Sequence, residues 1–317
     1  MSKKSTYIIA EAGVNHNGDY EVAKEMIVHA AKAGANGVKF QTFNSAALVN
    51  KDLKKANYQI ANTKTEDSQY EMLRKLELPL EWHKKLQALA KKYRIDFLST
   101  AFDTDSLRFL RSLNLPAYKI GSGDLTNGPL LWEFGQLRRP LILSTGMSTL
   151  SEVEEALVIL NYSLNKNKEP LNLSEAWEFW SQNKIKKKLT KLVTLLHCTT
   201  QYPTNYKEVN LLAMETLKNA FNLKVGYSDH TLDTVVSIGA IARGATIIEK
   251  HFTLDKNMNG PDHKASLEPK EFSKMVLDIR NLEKSLGSPI KSPQPSEIEN
   301  IGIVRQKLIA AKKIKKG

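Results

Sequence analysis

The chain has 317 residues, 41% of them hydrophobic and 25% charged, which is a globular composition able to bury a large core. No apolar run approaches the roughly 20 residues that span a bilayer, Glu11 cuts short the apolar start that a signal segment would need, and Cys198 is the only cysteine, so no internal disulfide can form. The net charge of +12 gathers largely in 166–191 and 305–316 without a nucleic-acid motif or interleaved aromatics, which predicts a solvated basic surface on a cytoplasmic protein with no nucleic-acid or membrane partner.

From the N-terminus, short β-branched runs alternate with helical patterns, the signature of βα units around a parallel sheet. YIIAEA is the first strand, followed by a helix over 20–33 in which Val22, Met26, Ile27 and Ala30 form one apolar stripe. GVKFQT is the second, and the stretch 44–78 after it is long enough for a lid or wall over a barrel mouth. A helix at 81–93 precedes DFLSTA, and one at 106–113 precedes AYKIGS. PLILST is the fifth strand, with its helix at 151–160. The insertion 163–191, with Trp177 and Trp180 on one helical face, precedes the sixth strand and is assigned a packing or oligomer role away from the catalytic end. LVTLLHC, a helix at 211–221, KVGYSD, a helix at 234–243 and TIIEKHF complete the series. Eight units predict a closed (β/α)8 TIM barrel over 1–286, an α/β fold, with a doubly wound sheet as the alternative. GSPIKSPQPSE reads as a linker, and the remaining residues to 317 are too few to fold alone.

In such a barrel the active site lies at the carboxyl ends of the strands, so residues there converge though distant in sequence. Those ends carry Glu11 with Asn15 and His16, Lys39 with Gln41, Ser99 with Thr100, and Lys119 with Ser122 and Asp124. The later strands add Ser144 and Thr145, His197 with Tyr202, Ser228 with Asp229 and His230, and Glu249 with His251. Any one could be an ordinary polar strand cap; nearly every strand repeating the feature points to an enzyme. His29 and His83 fall within helical patterns and read as surface or core residues. His230 and His251 close consecutive strands and are either a metal-binding pair or a hydrogen-bonded one. Cys198, inside LVTLLHC, reads as a packing residue, not a nucleophile.

Lys39 and Lys119 lie in otherwise apolar strands, where a buried ammonium requires an anionic partner. Interior carboxylates are expected to neutralise only part of this set. The hydroxyls of Thr100, Ser122, Ser144 and Ser228 and the turns GSGD and STGMS suit a phosphate. A Schiff base from one lysine is the alternative use.

Together these residues resemble the sialic acid synthase family, which includes N-acetylneuraminate and legionaminic acid synthases. The motifs run from IIAEAGVNHNGD through VKFQTF, QYEMLRKLEL, FLSTAFD, AYKIGSGDLTN, LILSTGMSTL, LLHCTTQYP and GYSDHTLD to IIEKHFTLDKNMNGPDHKASLEP, covering nearly everything but the insertion. The resemblance implies condensation of phosphoenolpyruvate with the open-chain aldehyde of an N-acylated hexosamine, N-acetylmannosamine or 2,4-diacetamido-trideoxymannose, to a nonulosonic acid and phosphate with C–O cleavage. It implies a divalent metal, Mn2+ with Mg2+ or Co2+ as alternatives, held by His230 and His251. Glu11 would handle protons near the metal, with Lys119 and Asp124 as further catalytic residues. Lys39, Thr100, Lys119, Ser122, Ser144 and Ser228 would bind phosphoenolpyruvate, with Asn62 a further candidate. Gln41, Asp124, Tyr202 and Asp262 would face the sugar. The family also implies a homodimer whose members continue into an antifreeze-like domain that lends an arginine to the partner's sugar site. AAKKIKKG stands where that domain would begin, so the sugar site is expected to be incomplete within 317 residues. Pseudaminic acid synthases, other sugar-acid synthases and an idle barrel homologue are the alternatives.

Overall fold

The computed structural model describes residues 5–50, 54–55, 59–60, 63, 67–182 and 186–317. Its strands are β1 (Tyr7–Gly13), β2 (Gly37–Thr42), β3 (Asp96–Ala101), β4 (Tyr118–Ile120), β5 (Leu141–Ser144), β6 (Val193–His197), β7 (Lys224–Asp229) and β8 (Ile247–His251). All pair in parallel in sequence order, and β8 returns to β1. The barrel is therefore closed, which removes the doubly wound alternative.

Side chains alternate across each strand, so the barrel sorts its residues onto two faces. Ile8 and Ala10 of β1, Val38 and Phe40 of β2, Leu141 and Leu143 of β5 and Ile248 of β8 belong to one large apolar cluster shared with the surrounding helices. Their strand neighbours Ile9, Leu98, Ile142, Leu196 and Ile247 form a separate small cluster inside the barrel. Below it, the Tyr7 hydroxyl donates to Asp96 Oδ2 at 2.5 Å. This inner layer is tight: a Cβ on Gly226 would lie 2.5 Å from the Ile247 carbonyl oxygen and 2.6 Å from Leu196 Cδ2. Two residues further along most of the strands, as from Ile9 to Glu11, Leu98 to Thr100, Ile142 to Ser144 and Ile247 to Glu249, the same face becomes polar, and the inner apolar layer is its floor.

Around the barrel lie α1 (Tyr20–Lys32), α2 (Ser45–Leu48), α3 (Gln69–Leu76), α4 (Leu80–Lys92), α5 (Thr104–Ser112), α6 (Gly128–Gln136), α7 (Leu150–Asn165), α8 (Leu173–Ser181), α9 (Lys187–Leu192), α10 (Ala213–Phe221), α11 (Val235–Ala242) and α12 (Pro269–Ser285), and α13 (Ile298–Val304) follows outside that ring. Asp19 starts α1 by accepting from the Glu21 and Val22 amides, and Thr149 with Glu152 closes a reciprocal cap at α7. Helix α6 is not among the helices expected from the sequence. Its PLLWEF core is apolar on two sides and leaves only a narrow edge at Glu133, because Leu130, Leu131 and Phe134 join the main core while Trp132 packs outward with Val158, Tyr162 and Ala176. That outer cluster is covered by Trp177, Phe179 and Trp180, so the 163–191 insertion lies along α6 and α7. Residues 287–317 carry one 3-10 turn and α13 and are almost wholly exposed. No helix among the described residues is long and apolar enough to cross a membrane.

Candidate active site

The polar layer above the barrel floor follows from strand register. Glu11 stands opposite both Lys39 and His251, Ser228 opposite Glu249, and Thr100 opposite both Gln41 and Lys119. Lys39 Nζ lies 2.6 Å from Glu11 Oε2 and 3.7 Å from Glu249 Oε2, and it donates to Thr100 Oγ1 at 2.9 Å. Lys119 Nζ donates to Glu249 Oε1 at 3.0 Å, and Ser228 Oγ donates to the same oxygen at 2.9 Å. Gln41 Nε2 reaches Glu11 Oε1 at 3.4 Å. Each lysine has a carboxylate within ion-pair distance, where the sequence led us to expect partners for only part of this set. The missed partner is Glu249, named at its strand end but given no role, although alternation alone puts it on the same face as His251.

The two carboxylates are unequal. Burial, opposed by Lys39 and helped by Glu249, pushes Glu11 up to about 7. Burial acts upward on Glu249 too, but Lys119 and Lys39 outweigh it and hold this carboxyl well below the usual range. Burial works against charge on Lys39, and Glu11 and Glu249 overcome it to hold its pKa up. One carboxylate is thus fixed as an anion, and the other is poised to exchange a proton near neutrality.

His230 and His251 meet edge-on close by, with ring centroids 5.4 Å apart, and the Tyr202 ring lies 4.1 Å from His230 and 5.5 Å from His251. Burial lowers His230 to about 4 and takes His251, beside His230, well below the ordinary value, so both rings are neutral. His230 Nδ1 lies 2.6 Å from the Thr199 carbonyl oxygen, which can only accept. The proton therefore sits on Nδ1 and leaves the Nε2 lone pair free. Ser228 Oγ is 3.4 Å from that nitrogen, but its proton is directed to Glu249. His251 Nδ1 is buried without a hydrogen-bond partner, 4.0 Å from Asp262 Oδ2. Two neutral imidazoles with unused lone pairs suit a divalent ion, and at His230 the second ring nitrogen is anchored to a carbonyl, as is common for ligating histidines. Among the described residues no three His, Cys, Asp or Glu side chains converge as a ligand set, so water or substrate oxygens would supply the remaining positions.

The other candidates line the rim. Ser144 Oγ is buried without a partner, on the lumen face two residues after Ile142. Ser122 Oγ accepts from the Gly146 amide at 3.1 Å and touches Cys198 Sγ at 3.2 Å, which ties GSGD to STGMS and leaves Cys198 buried. Burial raises Asp262 to about 6. Asp124 is also raised to about 6, by burial and then by Asp103, and its Oδ2 is buried without a partner beside Gly121, apart from the lysine–glutamate network. Asn62 lies outside the described residues. Some strand-end polar residues face away from the lumen. His197 bonds to the Val209 carbonyl, Ser99 joins Thr42 and His83, and Asp229 pairs with Lys250.

The NeuB family model matches residues 26–291. The N,N'-diacetyllegionaminic acid synthase of Campylobacter jejuni subsp. jejuni serotype O:2 is 50% identical over 99% of this chain and 87% of its own length. The enzyme of that name from Legionella pneumophila subsp. pneumophila is 44% identical over all of this chain and 83% of its own length. The crystal structure of N-acetylneuraminic acid (sialic acid) synthetase from Leptospira borgpetersenii serovar Hardjo-bovis, in complex with citrate, superposes with a TM-score of 0.76 at 33% identity, covering 96% of this chain and 94% of that one. With relatives this similar along nearly its whole length, the chain belongs to the NeuB family.

Proposed function

We propose that this chain condenses phosphoenolpyruvate with the open-chain aldehyde of an N-acylated hexosamine, 2,4-diacetamido-trideoxymannose before N-acetylmannosamine, giving a nonulosonic acid and phosphate. The observation that carries the reading is the lumen-facing array in which Lys39 and Lys119 sit beside unpartnered Ser144 and two neutral, lone-pair-bearing imidazoles. The diacetamido sugar is preferred because the relatives at 50% and 44% identity are both diacetyllegionaminic acid synthases.

Lys39 and Lys119 offset the charge of the phosphoenolpyruvate carboxylate and phosphate, with Thr100, Ser122, Ser144 and Ser228 donating or reorganising hydrogen bonds around it. Gln41, Asp124, Tyr202 and Asp262 order the sugar. His230 and His251 hold a divalent cation, Mn2+ before Mg2+ or Co2+, which when bound supplies Lewis-acid polarisation of the aldehyde. The phosphoenolpyruvate methylene carbon bonds to the aldehyde carbon as the carbonyl π pair moves to the aldehyde oxygen, which takes a proton from Glu11. Water adds at the adjacent enol carbon and Glu11, now ionised, accepts its proton at a carboxylate oxygen; the new hydroxyl then collapses to the ketone, its proton leaving with phosphate, which departs with the bridging oxygen. A carboxyl poised at about 7 suits that transfer. Residues 1–286 form the catalytic barrel and 287–317 a linker, in a cytoplasmic homodimer.

The test is phosphate release from phosphoenolpyruvate carrying heavy oxygen at the bridging position, with Mn2+ and a panel of N-acylated hexoses. Release that needs both substrates and the metal, with the label in phosphate, is expected. Turnover that survives exhaustive chelation and His251→Ala would overturn the metal assignment, and label retained in the organic product would overturn C–O cleavage.

A further inference from the structure

We propose that the buried ion pair between Asp229 and Lys250, on the outer face of β7 and β8, positions His230 and His251 to bind a divalent cation. The inference rests on the metal reading above and adds residues that do not touch the cation. Asp229 and Lys250 are partners in register and directly precede His230 and His251. Alternation sends the pair outward, behind the polar layer, where both side chains are fully buried.

Lys250 Nζ lies 3.2 Å from Asp229 Oδ2 and donates to the carbonyl oxygens of Thr231 at 2.5 Å and Asp233 at 2.8 Å. Asp229 Oδ1 accepts from the Thr231 amide at 2.8 Å and hydroxyl at 2.7 Å, while Oδ2 accepts from Ser237 Oγ at 2.6 Å. The turn leaving His230 is therefore tied to the residue before His251 and to the start of α11. One ion pair fixes both backbone segments that carry the imidazoles. Burying two charges costs several kcal/mol, and an apolar pair of similar volume is often at least as stable. Placement of the turn, held by charge-assisted bonds to its carbonyls, is what an apolar pair could not provide.

The experiment uses the full chain and Mn2+ alone, followed by electron paramagnetic resonance titration, with the visible spectrum of bound Co2+ reporting ligand geometry. The double variant Asp229→Asn, Lys250→Met keeps volume and leaves no charge unpaired. It should fold, bind phosphoenolpyruvate without metal within about threefold of the parent, and bind Mn2+ about tenfold more weakly with an altered Co2+ spectrum. If it folds and binds Mn2+ like the parent while His251→Ala does not bind, the positioning role is wrong and the metal reading stands. If His251→Ala also binds like the parent, the metal reading falls and takes this inference with it. Should the double variant not fold, Ser237→Ala decides: about two- to threefold weaker binding supports the role, and unchanged binding overturns it.

Discussion

Buried charge stands on both faces of β8, Lys250 outward and Glu249 inward, and the arrays on the two faces are finished differently. Outward, Asp229 and Lys250 have their oxygens and ammonium occupied by each other, by Thr231 and Ser237 and by two carbonyls. Inward, Lys39 and Lys119 meet Glu11 and Glu249, yet Ser144 Oγ and His251 Nδ1 stay buried without partners and Glu11 is held near neutrality in its titration. A saturated array needs nothing further and fixes backbone. An unsaturated one leaves capacity that a charged ligand completes.

The comparison breaks most visibly at Lys119. Lys119→Met removes a cation from the proposed substrate cradle, and kcat/KM for phosphate release should fall about 1000-fold, roughly 4 kcal/mol. Glu249→Gln combined with Lys119→Met removes the carboxylate left without its lysine and should recover stability but not turnover. Turnover of that double variant within tenfold of the parent, in the same assay, would make the lumen pair as structural as the outer one.

On the outer face the order of effects reverses. Lys250→Met strands Asp229 in a dry site and should cost about 3–5 kcal/mol in urea unfolding. Lys39→Met should cost less, since Glu11, already up near 7, can take a proton and relieve the unpaired charge. Equal losses for the two variants would mean that the faces do not differ in this way.

Much of this arrangement was legible in the sequence because strand runs are short and bounded. All eight runs contain the observed strands to within a residue or two, as at LVTLLHC for Val193–His197. The convergence of Glu11, Lys39, Lys119, His230 and His251 followed from the barrel alone. Facing did not, because strand ends were read without applying the period of two: His197 and Ser99 were grouped with Lys119 though they bond outside the lysine–glutamate network, to Val209 and Thr42. The same omission left Glu249 without a role. Helix α6 was missed because a helix packed between two apolar layers keeps only a narrow polar edge, here Glu133 and Gln136, to reveal its period.

Gly226→Ala tests the floor that separates the lumen chemistry from the rest of the barrel. The added methyl would meet the Ile247 carbonyl at 2.5 Å, and β8 backbone can yield only by shifting Glu249. A loss of about 3 kcal/mol in urea unfolding is expected. Phosphoenolpyruvate binding should weaken in parallel in the surviving folded protein; unchanged binding would show that the polar layer tolerates movement of its floor.

The smallest effect concerns Asp124, which is buried like the ionised groups of both arrays but lacks a counter-charge. Burial and then Asp103 raise it from 3.8 to about 6. A carboxyl whose folded-state pKa is raised contributes its full stability below the unfolded value and loses it as pH climbs through 6. Ionisation at higher pH is thus a burden on the fold, and Oδ2 has no hydrogen bond to lose. Asp124→Asn removes that burden, so its stability relative to the parent should grow by about 2 kcal/mol between pH 4.5 and pH 8. Urea unfolding of both proteins at the two pH values measures the change. A difference that stays constant with pH would mean that Asp124 is not held up in the folded state. A relative loss at pH 8 would mean that its carboxylate has a favourable partner, placing it with the saturated array.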